Sequence, residues 1–130
     1  MPTAKGPFQV KRAPIPAAFD ATGLGRHSLD KVYGGDLEGT SLGEMVSAGG
    51  SVQGSAGYVA MERVTGTLHG HAGTFVLQHS ATMKRGEPNL TLTVVPDTGT
   101  DALEGLSGSM RIVIENGQHH YEFDYEINQA

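Results

Sequence analysis

The chain has 130 residues, which suffices for one domain with a single core, and we expect that domain to span residues 1–130. Its formal net charge is −5 with nine Lys and Arg, and no basic cluster is visible. The composition therefore argues against a nucleic-acid partner. The absence of cysteine excludes disulfides and thiol catalysis.

The first residues of the chain carry no targeting or membrane signal. Residues 1–14 lack an apolar central segment, and no apolar run approaches the length needed to cross a membrane. We therefore expect a soluble, cytoplasmic protein without a membrane partner, in which residues 1–5 form a flexible N-terminus.

The predicted elements are strands throughout, because apolar and polar residues alternate and no amphipathic helix pattern appears. In chain order, the strands lie at residues 6–12, 24–33, 36–47, 57–68, 75–83, 90–95, 110–114 and 119–127. Pro14 and Pro16 end the first strand because proline removes backbone donors. Loops are predicted at residues 17–23, 48–54, 84–89 and 96–108.

The third strand and the residue before it present an unusual face of small residues: Gly35, Gly39, Ser41 and Gly43. Two interpretations stay open for this face. The small residues either leave room inside the molecule or permit tight curvature of the sheet, and the second is the commoner use of glycine in strands.

The central hairpin, residues 57–83, places its apolar residues on one face of an antiparallel pair. If His71 and Ala72 form the turn, Val64 lies opposite His79. Glu62 and His79 then share the apolar face and are diagonal to each other.

The last hairpin carries the favoured type I′ turn sequence, Asn116-Gly117. This turn pairs Ile112 with Tyr121. Eight hairpin-linked strands with one apolar face each predict an all-β fold, an eight-stranded antiparallel up-and-down β-barrel, which removes exposed sheet edges.

Glu62 and His79 are the candidate catalytic residues. A carboxylate on an apolar face is costly unless it is paired or protonated. Glu62 is therefore either a general base or ligand anchor, with its pKa raised by burial, or a structural partner of His79, Arg63 or a tyrosine. The candidate ligand-binding residues are Tyr58, Glu62, Phe75, Leu77, His79, Tyr121 and Phe123.

The other histidines do not predict a metal site. His69 and His71 flank the hairpin tip, and His119 and His120 are adjacent, but a transition-metal site needs three or four converging ligands. We expect His119 to face inward, His69 and His120 to face outward, and no metal or other cofactor to be bound.

Several segments together resemble a known family: GDLEGTSLGEM (35–45), GSAGYVAMERVTGTLHG (54–70), GTFVLQHSATM (73–83), LTVVPDTGTDALEGLSGSM (92–110) and HHYEFDYEI (119–127). They are similar to small bacterial proteins of unknown function that are classed with the allene oxide cyclase-like β-barrels. The resemblance implies an eight-stranded barrel that forms dimers or larger homo-oligomers, with outward side chains such as Tyr33 and Val76 at the contact. It implies no established activity, and no cyclase residues can be carried over onto this chain.

Three functions are consistent with these patterns. The first is a barrel that binds a small apolar molecule beside a Glu/His pair, and the second is an isomerase or cyclase using Glu62 and His79. The third is a structural oligomeric barrel whose interior is filled. A cavity larger than about 300 Å³, lined by Glu62, would separate the first two from the third.

Overall fold

The computed structural model describes residues 2–128 and forms a closed antiparallel barrel in which each strand pairs with its neighbours in the sequence. The strands are β1 (Thr3–Pro14), β2 (Gly25–Tyr33), β3 (Leu37–Gly49), β4 (Ala56–Leu68), β5 (His71–Lys84), β6 (Glu87–Val94), β7 (Leu106–Glu115) and β8 (Gln118–Ile127). Two short 3₁₀ turns lie at Asp20–Thr22 and Asp101–Leu103. The predicted eight-stranded up-and-down barrel is confirmed. None of the helices in residues 2–128 is long and apolar enough to cross a membrane.

The first strand begins earlier than its sequence pattern indicated. Thr3 pairs with Asp124 of β8, and the side chain of Ala4 is fully buried in the core. Residues 3–5 are therefore part of the barrel wall, whereas a flexible segment was expected there. Met1 lies outside the described residues.

The predicted register of the central hairpin is wrong by four residues. The turn is His69-Gly70, with φ of 45° and 82°, and Val64 lies opposite Phe75 while His79 lies opposite Ala60. Two positive φ angles are what a type I′ turn requires. Because the displacement is an even number of residues, every side chain keeps its predicted face.

The predicted register of the last hairpin is confirmed. Asn116 and Gly117 have φ of 51° and 77°, as in a type I′ turn, and Ile112 lies opposite Tyr121.

The barrel interior differs between its two ends. At the end where the β2–β3 and β4–β5 turns lie, side chains fill the interior, and Leu103 from the second 3₁₀ turn joins them. The rings of Phe75 and Phe123 stack there with centroids 5.9 Å apart. The largest fully buried apolar side chains at this closed end are Leu37, Leu68, Phe75, Leu77, Leu103, Tyr121 and Phe123. Core packing of this kind accounts for the stability of that half.

The second strand is turned the other way from the prediction. Tyr33 was expected on the outer surface, but Leu29, Lys31 and Tyr33 all point inward and are buried. Alternation along β2 then places Val32 outside, where it is 54% exposed. The expectation that Tyr33 contributes to an oligomer contact is therefore wrong.

The glycines of β3 bring two strands unusually close together. A Cβ added at Gly39 would lie 2.3 Å from the Thr65 oxygen, and one at Gly43 would lie 2.1 Å from the Met61 oxygen. No side chain fits at such distances, so these glycines permit the close approach of β3 and β4. This favours the curvature interpretation of the small-residue face.

The wall has one weak seam, between β6 and β7. Among the described residues, the ladder there contains a single pair, Thr93 opposite Ser109, whereas the other neighbouring strands pair along much of their length. Continuing that register would place Leu90 opposite Ile112, but the ladder does not extend so far.

Candidate functional site

A buried cluster of four polar side chains lies at mid-height inside the barrel. Glu62 on β4 accepts hydrogen bonds from Tyr33 of β2 through Oε1 and from His79 of β5 through Oε2, at 3.2 Å from Nε2. The Nζ of Lys31 lies 2.8 Å from the same Oε2. The prediction that Glu62 and His79 lie inside and within hydrogen-bonding distance of each other is confirmed.

The small residues of β3 make this cluster geometrically feasible. Lys31 lies on β2 and Glu62 on β4, so β3 separates them. At their level, β3 presents Ser41 opposite Lys31 and Gly43 opposite Glu62. A large inward side chain at position 41 would occupy the space through which the ammonium reaches the carboxylate, and at position 43 the backbone of β4 leaves no room for a side chain. The Ser41 hydroxyl is buried and has no hydrogen-bond partner among residues 2–128.

The electrostatics of the cluster reverse one prediction. Burial raises the pKa of Glu62, but the hydrogen bond from His79 and the positive charge of Lys31 outweigh it and lower the pKa to about 2. The expectation of a raised pKa is wrong because it counted burial alone and left out the hydrogen bond from His79 and the charge of Lys31. Burial, together with the neighbouring Glu62 charge, raises the pKa of Tyr33 well above its ordinary value. Glu62 is thus an ionised acceptor and Tyr33 a neutral donor.

The ionisation of Glu62 fixes the tautomer of His79. An ionised carboxylate can only accept hydrogen bonds, so Nε2 of His79 carries the proton that it shares with Oε2. In the neutral imidazole, Nδ1 is then the acceptor. Within the described part of the chain, Nδ1 makes no hydrogen bond, which leaves it available to a bound molecule.

A cavity of about 480 Å³ opens above this cluster, at the end of the barrel where the β1–β2, β3–β4, β5–β6 and β7–β8 connections lie. Its apolar lining consists of Phe8, Val10, Leu29, Met45, Leu90, Ile112 and Ile114. Its polar lining consists of Arg12, Lys31, Tyr58, His79 and His119. Glu62 does not line it, since its side chain is fully buried beneath Lys31 and His79. We call Lys31 and His79 the floor of the cavity.

The predicted ligand-binding residues divide between the two ends of the barrel. Tyr58 and His79 line the cavity, with ring centroids 6.3 Å apart. The other apolar members of the predicted set, Phe75, Leu77, Tyr121 and Phe123, are fully buried in the closed end. The structure therefore brings together two of the seven residues at the cavity and places Glu62 directly below them.

The remaining histidines have separate surroundings. His69 is exposed and its Nδ1 lies 2.5 Å from the Tyr125 hydroxyl. His119 lines the cavity, with its ring centroid 5.3 Å from that of Phe8. Across residues 2–128, no group of three His, Cys, Asp or Glu side chains could hold a metal ion.

Sequence reasoning missed the basic residues of the site, above all Lys31 and Arg12. The segment GRHSLDKVY alternates poorly, yet Leu29, Lys31 and Tyr33 share one parity. A lysine flanked at this spacing by two large apolar or aromatic residues lies on the same face as those residues. This pattern indicates that Lys31 faces inward.

These features define a class of protein: an eight-stranded antiparallel barrel, packed at one end and open at the other, with a cavity above a buried charged cluster. The chain belongs to the family described as protein of unknown function DUF3224, whose model matches residues 4–125. It is similar to the crystal structure of a protein of unknown function from that family in Shewanella oneidensis MR-1. The two chains are 50% identical, with a TM-score of 0.95 over 100% of this chain and 99% of that chain. No curated protein matches the chain.

Proposed function

We propose that the barrel binds a small, largely apolar molecule in the cavity at its open end. The observation that carries this proposal is the cavity itself, whose volume of about 480 Å³ falls within the usual range for small-molecule sites, roughly 300–1,000 Å³. Its walls are mostly apolar, and a few polar groups converge on its floor. This combination is typical of ligand sites.

The contrast between the two ends supports binding over a purely structural role. A barrel of eight strands has an interior that side chains can fill completely, and the closed end of this barrel is filled in that way. At the open end, the wall residues leave space above Lys31 and His79, two buried polar groups that a filled apolar barrel would not need.

A matched pair of tryptophan variants tests the proposal. Leu90 lines the cavity, and its neighbour Thr91 points to the outer surface. We expect Leu90→Trp to weaken binding of the neutral fluorescent probe N-phenyl-1-naphthylamine, because the indole enters the cavity, and Thr91→Trp to leave binding unchanged. Equal binding of the probe to the two variants would refute the proposal, and so would failure of the wild type to bind both this probe and its sulfonated analogue, 8-anilinonaphthalene-1-sulfonate.

A second candidate function, proton transfer as in an isomerase or cyclase, has one specific observation in its favour. His79 lines the cavity, and Glu62 holds its Nε2 proton, so that Nδ1 can act as a general base towards a bound molecule. Glu62 is then a positioning residue, because it does not reach the cavity. The likeness to allene oxide cyclase-like barrels adds only fold analogy.

Deuterium exchange tests this second candidate. The probe is 2-tetralone, an apolar ketone with acidic carbon-bound hydrogens, and the readout is its deuterium incorporation in heavy water by NMR. We expect exchange to be faster with the wild type than with His79→Gln, whose amide can still donate to Glu62. Equal rates for the two proteins, at equal binding of the naphthylamine probe, would eliminate His79 as the base.

We further propose that the barrel forms a homo-oligomer through the outer face of β2, β3 and β4. Five apolar side chains between 39% and 68% exposed lie on these strands: Val32, Leu42, Val46, Val59 and Met61. Exposed apolar patches of this kind mark association surfaces. Sedimentation of Leu42→Lys should give a smaller species than the wild type. Met83→Lys, an exposed methionine on β5 outside the patch, should not.

A further inference from the structure

The charged side chains that line the cavity, Arg12 and Lys31, are both basic, in a chain whose net charge is −5. Arg12, Lys31, His79 and His119 line it, and none of the carboxylates in residues 2–128 does. The chain has nine Lys and Arg and fourteen Asp and Glu. A cavity that is lined by two of these basic residues, and by none of the described carboxylates, therefore differs in charge from the chain as a whole. Such a lining attracts anions and concentrates the field inside a low-dielectric pocket.

We propose that the ligand is an apolar molecule carrying a single acidic group, and that this group lies between Arg12 and Lys31. The proposal rests on the proposed binding function and specifies its ligand class. Charge balance sets the number of acidic groups. Arg12 and Lys31 supply two positive charges, the buried Glu62 supplies one negative charge, and one carboxylate or sulfonate on the ligand neutralises the remainder.

The backbone brings the two basic side chains to one place. Arg12 on β1 pairs with Leu29, and Val10 pairs with Lys31. Arg12 and Lys31 are therefore diagonal neighbours on the inner face of adjacent strands, a spacing that long side chains bridge readily. An acidic group at this position can accept from both.

Both side chains have donors to spare. The Lys31 ammonium has three N–H groups, and in the described chain its one hydrogen-bonding partner is Glu62. It otherwise faces the rings of Phe8 and Tyr33, 5.2 and 5.8 Å from their centroids. Arg12 makes no side-chain hydrogen bond or ion pair with any residue between 2 and 128. A buried cationic donor such as Lys31 is stabilised by additional acceptors, and an acidic ligand would supply them both to Lys31 and to the exposed Arg12.

The apolar residues of the lining orient the rest of the molecule. Leu90 and Ile114 line the cavity and are also 37% and 64% exposed to solvent. They therefore lie near its opening, whereas Lys31 lies on its floor. The acidic group then points down towards Lys31 and the apolar body lies against the upper walls.

Two fluorescent probes that share one skeleton test the proposal. N-phenyl-1-naphthylamine is neutral, and 8-anilinonaphthalene-1-sulfonate is the same molecule with one sulfonate. We expect the wild type to bind the sulfonate at least about tenfold more tightly, the worth of one charge-assisted hydrogen bond. In competition against the neutral probe, decanoate should displace it at lower concentration than decanol, and decanol at lower concentration than decylamine.

A matched pair of variants locates the acidic group. Arg12→Gln should reduce the affinity ratio of the sulfonate over the neutral probe by about tenfold. Lys11→Gln, the exposed neighbour on the outer face of β1, should leave the ratio unchanged. Circular dichroism checks that both variants keep the fold.

The outcomes distinguish the proposal of an acidic ligand from the proposed binding function on which it rests. If neither probe binds the wild type, the proposed function fails and this inference fails with it. If the neutral probe binds and the sulfonate binds no more tightly, binding stands and the acidic ligand is refuted. A preference for the sulfonate that is unaffected by Arg12→Gln, or equally affected by Lys11→Gln, also refutes the site between Arg12 and Lys31.

Discussion

Replacing Glu62 with glutamine should destabilise the barrel strongly. The carboxylate accepts from Tyr33, Lys31 and His79 in a fully buried position. Glutamine keeps the shape but removes the charge that balances the Lys31 ammonium. Breaking a buried ion pair by removing one partner is costly because the other charge stays buried without compensation.

The magnitude follows from the pKa of Glu62. Folding lowers this pKa from its ordinary 4.5 to about 2, and one pKa unit corresponds to about 1.4 kcal/mol. The ionised carboxylate therefore stabilises the fold by about 3 kcal/mol relative to its protonated form. We expect Glu62→Gln to lower the free energy of unfolding at pH 7 by a similar amount, measured by urea denaturation.

The difference in stability between the wild type and Glu62→Gln should depend on pH in a defined direction. Because the pKa of Glu62 is lower in the folded state, its stabilisation is fully present above pH 4.5 and is lost as the pH falls towards 2. The difference in stability between the wild type and Glu62→Gln should therefore shrink over that interval and vanish near its lower limit.

Two controls accompany the measurement. Glu44→Gln removes an exposed carboxylate that pairs with Arg26 and should cost no more than about 1 kcal/mol. The double variant Lys31→Met/Glu62→Gln removes both buried charges and should be more stable than Glu62→Gln alone. The reasoning is refuted if Glu62→Gln is as stable as the wild type at pH 7, or if the difference does not change between pH 5 and 2.

Three further substitutions should each lower the stability of the fold. Tyr33→Phe removes one donor to Glu62 and should cost about 1–3 kcal/mol in urea denaturation; no loss would contradict that bond. Gly43→Ala places a Cβ 2.1 Å from a carbonyl oxygen of the neighbouring strand and should lower the thermal midpoint clearly, whereas Gly50→Ala, with nothing within 4 Å, should not. Tyr121→Phe removes a hydroxyl that donates to a carbonyl 2.6 Å away and accepts from a backbone N–H at 2.7 Å. It should cost about 1–3 kcal/mol, and chemical denaturation that matches the wild type would rule this out.

Much of the fold could be predicted because a strand's alternation determines its faces independently of its exact partner. The β4–β5 register shows this clearly. The sequence Gly70-His71-Ala72-Gly73 suggested a turn between two glycines, whereas the actual turn uses His69 in the left-handed region before Gly70. Histidine adopts that region more readily than most residues, but a single sequence offers no means to choose between neighbouring glycines. Each side chain keeps its predicted face because the register error is an even number of residues.

The site was less predictable because it depends on contacts across three strands. Alternation within one hairpin sufficed to place Glu62 beside His79. Lys31, which together with His79 lowers the pKa of Glu62, lies two strands away, and the weak pattern of β2 did not reveal its orientation. The cavity could not be predicted for another reason. Its volume is the difference between the volume that the barrel encloses and the volume of the side chains inside it.

We expect the wall of the barrel to open most readily at the seam between β6 and β7. Leu90 and Ile112, which both line the cavity, lie on either side of it, beyond the single pair at Thr93 and Ser109. Regions with few ladder hydrogen bonds open at lower free energy than the rest of a fold. Amide hydrogens along the open-end half of β6 should therefore exchange with solvent faster than those of β4. If the seam opens in this way, a molecule wider than the opening of the cavity can enter laterally, through the wall of the barrel.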